Sequence, residues 1–459
     1  MSEFTFHSSR KIAFIGFGAV AKAVLPLLLE KIDINASQII IISSDEANKA
    51  IAEKYEVKFF KQYLTKNNYR GILDDLLRAD DVVVNLSVQV CTFDLISYCQ
   101  ENAILYLDTS RETWLDSEDL QNLTTYQRRK IALERFSKIQ KGKTALLYHG
   151  ANPGLVSHLL KEALIKIGES ELTQFKKPKS QKEWADLAKQ LQVSVIHIAE
   201  RDTQKSNLPR KPSEFCNTWS VYGFLEEAEE LTGIAWGTHE DAPPPHITKK
   251  IIDDGSCRAL EFSRAGRSLQ VKSWVPSGMI YASIIPHPEA YSIAQYLAVR
   301  SNDGAITYQP TVHFAYRPCD DAINSMRDAA LYPEKLPELT QQILFEDIMD
   351  GEDELGVLIF RENKKGVYWY GSRLDINTAR GLAPYNNATS LQVAASVLAG
   401  LVWMLENPDQ GILEPEHIDY KRVLDIARPY LGVVEGYLFE DFPSHPNPKW
   451  TFSSLSLDA

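Results

Sequence analysis

Glu200, Trp219, Glu227 and His287 are residues of the types that handle a charged amine, and their setting suggests how. Val193–Ala199 alternates like a half-buried strand and runs into Glu200-Arg201-Asp202, with Asn217-Thr218-Trp219-Ser220 and Glu226-Glu227 further on. A carboxylate at a strand end and an indole on a nearby loop can hold an alkylammonium by ion pairing and cation–π contact. Plainer roles stay open: a strand-end glutamate is also a solvated edge, and Trp219 is also a core residue. His287 lies in Ile285-Pro286-His287-Pro288-Glu289, presented rigidly after an apolar strand. That suits a general base near neutral pH, and equally a structural histidine. Of the paired acids, Asp320-Asp321 reads as a cap or solvated turn, and Asp353-Glu354 sits beside an apolar run.

A second group points to phosphate. Residues 12–21 read IAFIGFGAVA, an apolar strand that breaks at Gly16-Phe17-Gly18 and resumes through Ala19, Val20 and Ala21 as a helix. Gly16 makes the tight turn, Gly18 lets backbone approach a pyrophosphate, and Ala21 keeps helix and strand close. An ordinary buried strand with a Gly-rich turn has the same pattern. An acid at the end of the second strand normally takes the adenosine ribose hydroxyls. Here Ser43 holds that place, Asp45 follows two residues later, and no Arg or Lys occurs before Lys49. NAD is therefore expected rather than NADP. His149-Gly150-Ala151-Asn152-Pro153-Gly154 is a strong turn signal at another strand end, where Asn152 can bond a nicotinamide carboxamide or orient an amine.

These groups need a scaffold. The first third alternates strand-like runs (Ile39–Ser43, Asp81–Leu86, Ile104–Asp108, Thr144–Tyr148) with helix-like runs (Ala19–Lys31, Glu46–Tyr55, Tyr69–Leu77, Tyr126–Gln140). This is the mark of an α/β, Rossmann-type doubly wound parallel sheet, with Gly16, Ser43, Asn85-Leu86-Ser87 and Asp108-Thr109 along one crevice. From about residue 170 the strands Val193–Ala199, Ser273–Val275, Ile280–Ile285, Thr311–Tyr316, Gly356–Phe360 and Gly366–Tyr370 lack regular helices between them. They predict an α+β substrate domain with a mixed, largely antiparallel sheet, its last two strands joined by a hairpin loop at Arg361–Lys365. Thr389-Ser390-Leu391-Gln392 reads as a capping box opening a helix that runs to about Asn407. The expected division is 1–153 for the dinucleotide domain, 154–384 for the substrate domain, a helical region 385–435 packing back on the first, and a tail or arm from 436 to 459.

Bulk properties set limits. With 459 residues, 44% hydrophobic and 24% charged, the chain reads as an ordinary two-domain globular protein. A net charge of −12 argues against nucleic acid and is compatible with a cationic substrate. Cys91, Cys99, Cys216, Cys257 and Cys319 are an odd number without C-x-x-C spacing, so reduced thiols and no structural metal are expected. Cys91 and Cys99 fall in Val90–Asn102, a helix-like segment, as packing residues. No apolar run reaches about 20 residues and Met1–Arg10 has no apolar leader, so no membrane contact and a cytoplasmic location are expected.

Taken together, these segments resemble the bacterial homospermidine synthases. The resemblance is carried by Ile15-Gly16-Phe17-Gly18, Asn85-Leu86-Ser87-Val88, Gly150-Ala151-Asn152-Pro153-Gly154 and the long string His197-Ile198-Ala199-Glu200-Arg201-Asp202-Thr203-Gln204. Asn217–Val221, Asp353–Leu358, Tyr368–Ser372, Asn387–Thr389 and Leu405–Pro408 extend it over roughly residues 10–435. It implies a homodimeric transferase that keeps NAD as a recycled prosthetic group. Two putrescines give homospermidine and ammonia, or spermidine serves as the aminobutyl donor. It further implies Glu200 and Glu227 as ammonium-binding carboxylates, Trp219 as a cation–π wall and His287 as a proton-transfer or positioning residue. Asn152 and Asp94 are implied near the reacting end, with Glu112 and Asp353 along the entrance or at the distal ammonium. Ala151, Asn152 and Pro153 join the cofactor set. Two positions depart from the pattern: Ser43 replaces an Asp, and Pro288 stands where relatives can have Asn. Alternatives are a saccharopine-dehydrogenase-like or carboxynorspermidine-type reductive amination, with Arg201 and Arg317 available for a carboxylate, and a non-catalytic NAD-responsive regulator.

Overall fold

The computed structural model describes residues 6–114, 123–137, 139, 142–332, 339–362, 364, 366–442 and 449–457. They fall into two compact units. The first takes Met1–Leu123, Gln127–Leu155 and Ala379–Leu431, and the second Thr124–Tyr126, Val156–Thr378 and Gly432–Ala459.

In the first unit β1 (Ile12–Ile15) is followed by α1 (Ala19–Lys31), β2 (Ile39–Ser43), α2 (Lys49–Lys54), β3 (Lys58–Lys61), β4 (Val82–Asn85), α3 (Thr92–Glu101), β5 (Leu105–Asp108) and β6 (Ala145–Leu146). With the short strand Ile412–Leu413 they form a seven-stranded parallel sheet, ordered Ile412–Leu413, β6, β5, β4, β1, β2, β3. Strands β1, β2, β4 and β5 are mostly apolar and buried on both faces, as a helix-covered parallel sheet requires. Strand order reverses at β1, which creates the switch point where such sheets bind ligands. The edge strand β3, Lys-Phe-Phe-Lys, is mostly exposed, and the sequence pattern did not single it out. Cys91 and Cys99 pack in the core beside α3.

The long helix Ala388–Glu406 packs on α1 within this unit. It is apolar and long enough to cross a membrane, yet 94% of its apolar stretch is buried. Its cap differs from the expected box. Asn387, not Thr389, accepts the Ser390 amide at 2.7 Å, and Ser390 Oγ accepts the Asn387 amide at 2.9 Å. An Asn with extended backbone outcompetes Thr389, which already sits inside the first turn.

In the second unit the order is β7 (Val193–Asp202), α4 (Val221–Glu229), β8 (Leu231–Ala235), β9 (Thr248–Asp253), β10 (Arg258–Ala265), β11 (Gln270–Val275), β12 (Gly278–Ile285), α5 (Pro288–Tyr296), β13 (Thr311–Arg317), β14 (Glu352–Arg361), β15 (Val367–Asp375) and β16 (Val433–Phe439). The ten-stranded sheet runs β9-β10-β8-β13-β7-β14-β15-β16, and β12 pairs with both β13 and β11. Its β7–β13 pairing is parallel and the rest are antiparallel, so the sheet is mixed and largely antiparallel. Strand β7 lies at the centre, between β13 and β14, and carries Glu200 into the interior.

The expected tail from residue 436 is not a tail. Strand β16 pairs with β15 along its length, and Trp450, Phe452 and Leu455 insert into the core of this unit. Large apolar side chains override the loop-like composition of the segment. Residues 443–448 and 458–459 of that stretch, 363 and 365 of the expected hairpin loop, and 138 and 140 of the expected helix lie outside the described residues.

Candidate active site

Gly16 adopts φ +86°, and a Cβ there would meet the Leu86 carbonyl and the Ser87 Cα at 2.8 Å. Its amide donates to the Ile42 carbonyl at 2.8 Å, so the turn is wedged between the ends of β2 and β4. Only glycine fits. Gly18 caps α1 without any side-chain bond, and the space beside its Cα is open. Ala19 and Val20 follow in the first turn, so unsatisfied helix amides face an open approach. Phe17 is buried against Phe59, and Asn48 Nδ2 bonds its carbonyl at 2.8 Å, which anchors the loop from the far side. Ala21 is fully packed, consistent with close helix–strand contact.

The other crevice residues divide by what their side chains do. Ser43 is buried at the end of β2, while Asp45 is exposed and accepts the Ala47 amide at 2.9 Å. Asn85 accepts the Ser87 hydroxyl at 2.7 Å and closes the loop that carries Leu86 and Ser87. Asp108 is fully buried: Oδ2 accepts from the Tyr106 hydroxyl at 2.9 Å and Oδ1 from the Tyr148 amide at 2.7 Å. Burial pushes its carboxyl up to about 7. Asp108 therefore fastens the strand end, and its neighbour Thr109 lies beside Gly150.

Asp94 and Glu112 are likewise engaged locally. Trp114 Nε1 donates to Asp94 at 2.7 Å, and Glu112 accepts the Gln89 amide and the Ser110 hydroxyl at 2.9 Å each. His149 is buried against Ser396, and burial brings its pKa down to about 4, so it is a neutral packing residue. The turn at Ala151, Asn152 and Pro153 closes through Gly150 N to Pro153 O at 2.8 Å. Gly154, at φ +127°, has no room for a Cβ. Glu414, Glu416 and His417 offer ligand atoms within 4.8 Å of one another, but Arg129 grips Glu414 through two bonds of 2.7 Å that balance its charge.

In the second unit Glu200 is only 4% exposed and stands in register with Tyr316 on β13 and Leu355 on β14. It is not a solvated edge. Asp202 and Asp353, both fully buried, face each other across β7 and β14. Asp202 accepts from the Thr218 hydroxyl at 2.5 Å and from the Gln204 amide at 2.8 Å, which ties the Trp219 loop to the sheet. Trp219 Nε1 donates to the Tyr316 hydroxyl at 3.2 Å, and its ring meets Phe224 edge-on at 5.8 Å. Burial, with Glu200, Asp202 and Asp353 nearby, holds the Tyr316 phenol protonated, its pKa well above the usual range.

His287 is 5% exposed. Its ring packs on Phe314 at 4.5 Å, and Phe314 stacks on Tyr316 at 5.2 Å. Positions 314 and 316 share one face of β13, so a single strand links the histidine to the indole. Nδ1 lies 3.2 Å from Glu289 and Nε2 lies 3.1 Å from Glu227. Burial opposes a charged ring, but the two carboxylates outweigh it and hold the His287 pKa well above the ordinary imidazole range. The sequence reading of His287 as a general base meets a different setting here, since carboxylates at both ring nitrogens favour the protonated imidazolium. Pro288 fits because it takes the first position of α5, where a missing N–H costs nothing. Tyr316, Phe314, Glu289 and Thr218 were not singled out from the sequence. The alternation Phe314, Tyr316 on an apolar strand was the available signal.

The structure thus brings Glu200, Trp219, Glu227, His287 and Asp353 together in the second unit. Gly16, Phe17, Gly18, Ser43, Asn85, Leu86 and Ser87 converge in the first. Two family models cover nearly the whole chain, the saccharopine dehydrogenase NADP binding domain over residues 12–146 and the saccharopine dehydrogenase C-terminal domain over 150–438. A homospermidine synthase from Mesorhizobium japonicum is 38% identical over 95% of this chain and 92% of its own length. The chain belongs to the homospermidine synthase family. The enzyme of that name from Blastochloris viridis is 40% identical over 93% of this chain and 90% of its own. A crystal structure of homospermidine synthase from Legionella pneumophila in complex with NAD superposes with a TM-score of 0.91 at 38% identity, covering 98% of each chain. Family membership makes the protein an enzyme and removes the regulator alternative.

Proposed function

We propose that the protein transfers an aminobutyl group from putrescine, or from spermidine, to putrescine, with NAD as a recycled prosthetic group. Homospermidine is formed, and ammonia or 1,3-diaminopropane is released. The observation that carries the reading is that buried Glu200 and His287 and half-buried Trp219 and Glu227 are joined through one face of β13. Anionic and aromatic groups of this kind suit a linear diammonium. NAD fits the Gly16–Gly18 turn, where Gly18 leaves room for a pyrophosphate and the first amides of α1 are uncapped. When bound, NAD supplies hydride chemistry: it takes a hydride from the donor carbon and returns it to the new imine.

The chain's own residues handle binding and protons. Glu200, Glu227 and Asp353 hold ammonium groups, and the Trp219 face shields the chain between them from water. Asn152 orients the reacting nitrogen, while Asp94 and Glu112 fasten the loops on which they lie. A nitrogen beside the His287 imidazolium resists a second positive charge, which helps it give up a proton before oxidation. The proton released there passes to solvent, and the Nε2–H, freed where a bound ammonium takes over Glu227, supplies the proton that the departing nitrogen requires.

Incubation with putrescine and a small amount of NAD, followed by separation of the polyamines, tests this reading. Homospermidine should exceed NAD by many turnovers without accumulation of NADH. Stoichiometric NADH would instead favour a reductive-amination dehydrogenase. Trp219→Leu should lose roughly ten-fold or more in kcat/KM, since a desolvated cation–π contact is worth about 2 kcal/mol. Phe or Tyr at 219 should fall in between. Were Leu as good as Phe, the indole would merely fill space.

A further inference from the structure

In a sheet of this type the residue ending the second strand faces the adenosine ribose, and an acid there selects NAD by bonding the 2′-hydroxyl and repelling a 2′-phosphate. This chain has Ser43 instead, uncharged and short. The Gly16 amide reaches the Ile42 carbonyl at 2.8 Å, so the end of β2 lies directly beside the phosphate turn. Asp45 is exposed but is drawn toward the Ala47 amide. The usual discriminating acid is missing.

Cations, by contrast, are close. Lys61, the last residue of β3, is in register with Ser43, and the Gln62 amide bonds the Ser43 carbonyl at 2.8 Å. Lys49 opens α2 just beyond the same strand. Two lysines beside the end of β2 are what a 2′-phosphate needs. Both are held by one side chain, Glu46, whose Oε1 lies 3.1 Å from Lys49 Nζ and whose Oε2 lies 3.2 Å from Lys61 Nζ. Lys49 also lies 4.0 Å from Glu53, but among the described residues Glu46 alone reaches both lysines.

We infer that Glu46 is the specificity-determining residue for the cofactor, favouring NAD over NADP by clasping Lys49 and Lys61 and placing a negative charge where a 2′-phosphate would bind. The inference rests on the NAD reading above. Glu46 acts through the lysines and the local field, not by touching the reacting atoms. Its effect should be confined to the 2′-phosphate.

Calorimetric titration of the full chain with NAD and with NADP at low salt is the test, on wild type, Glu46→Gln, Glu46→Asp and the double variant Glu46→Gln/Lys61→Gln. Wild type should bind NAD more tightly than NADP. Glu46→Gln should bind NADP about five- to ten-fold more tightly, the scale of one gained exposed charge contact or slightly more, with NAD affinity nearly unchanged. Unchanged NAD affinity also shows that the variant is folded. Added salt should erase the gain, Lys61→Gln should remove it, and Glu46→Asp should keep most of the wild-type preference. Selective NAD binding by wild type with no NADP gain in Glu46→Gln overturns the clasp while leaving the NAD reading intact. Equal binding of both cofactors by wild type also overturns it, and binding of neither removes the NAD reading and the clasp together.

Discussion

Replacing His287 by alanine should lower kcat/KM for putrescine by about a hundred-fold or more, the lower end of what positioned proton transfer contributes. Putrescine in water is a dication, and neither hydride loss nor attack on an imine starts from a protonated nitrogen. His287 sits between Glu227 and Glu289 with its pKa raised well above the imidazole range. If it enters the reaction as an acid, as proposed, activity should fall at alkaline pH as it loses its proton. His287→Ala should lack that alkaline limb. In Glu227→Gln, where one of the two stabilising charges is gone, the limb should move to lower pH. Stability gives an independent readout. A histidine whose folded pKa is raised stabilises fully below its unfolded value of about 6.5, and that contribution is lost as pH rises through the folded value. The Tm difference between wild type and His287→Ala should therefore be larger at mildly acidic pH than at alkaline pH. If the variant keeps the wild-type rate and profile, His287 is structural and the proton moves elsewhere.

Legibility of the sequence depended on how local each signal was. The Gly16–Gly18 turn and the Asn152–Gly154 turn rest on backbone demands of single residues, and both appear where the pattern places them. Strands β1, β2, β4 and β5 could be read from short, mostly apolar runs, because both faces of a covered parallel sheet are apolar. Strands β3, β9 and β16 could not. They lie at sheet edges and mix polar with apolar residues, and their pairing is decided by partners far along the chain. The sequence also could not say that His287 would be charged. That follows from Glu227, sixty positions away in sequence, and Glu289 converging on the two ring nitrogens. The resemblance points to Asp94 and Glu112 and the strand-end position to Asp108, yet each carboxylate bonds its own loop or strand end. Residue type identifies a carboxylate; only tertiary contacts decide whether it serves a ligand or the backbone.

Glu200→Gln and Asp202→Asn, two substitutions on the same strand, should separate these roles. Both acids are buried on β7, but they differ in what occupies them. Asp202 receives the Thr218 hydroxyl and the Gln204 amide, and so anchors the Trp219 loop. Asp202→Asn should show mainly as a lower Tm. Glu200 stands opposite Tyr316, whose phenol is kept neutral and already accepts from the Trp219 indole. Its charge is thus placed beside the aromatic wall that would face a bound ammonium. Glutamine preserves the shape and removes the charge. Losing one charge-assisted contact costs about 1.5–3 kcal/mol, so Glu200→Gln should lose roughly ten- to hundred-fold in kcat/KM for putrescine. The Tm should change little, because burying a neutral amide in place of a charge relieves desolvation while giving up some bonding. NAD affinity, set in the first unit, should be unaffected. Unchanged kinetics with putrescine would mean that the Glu200 charge serves the sheet and not the substrate.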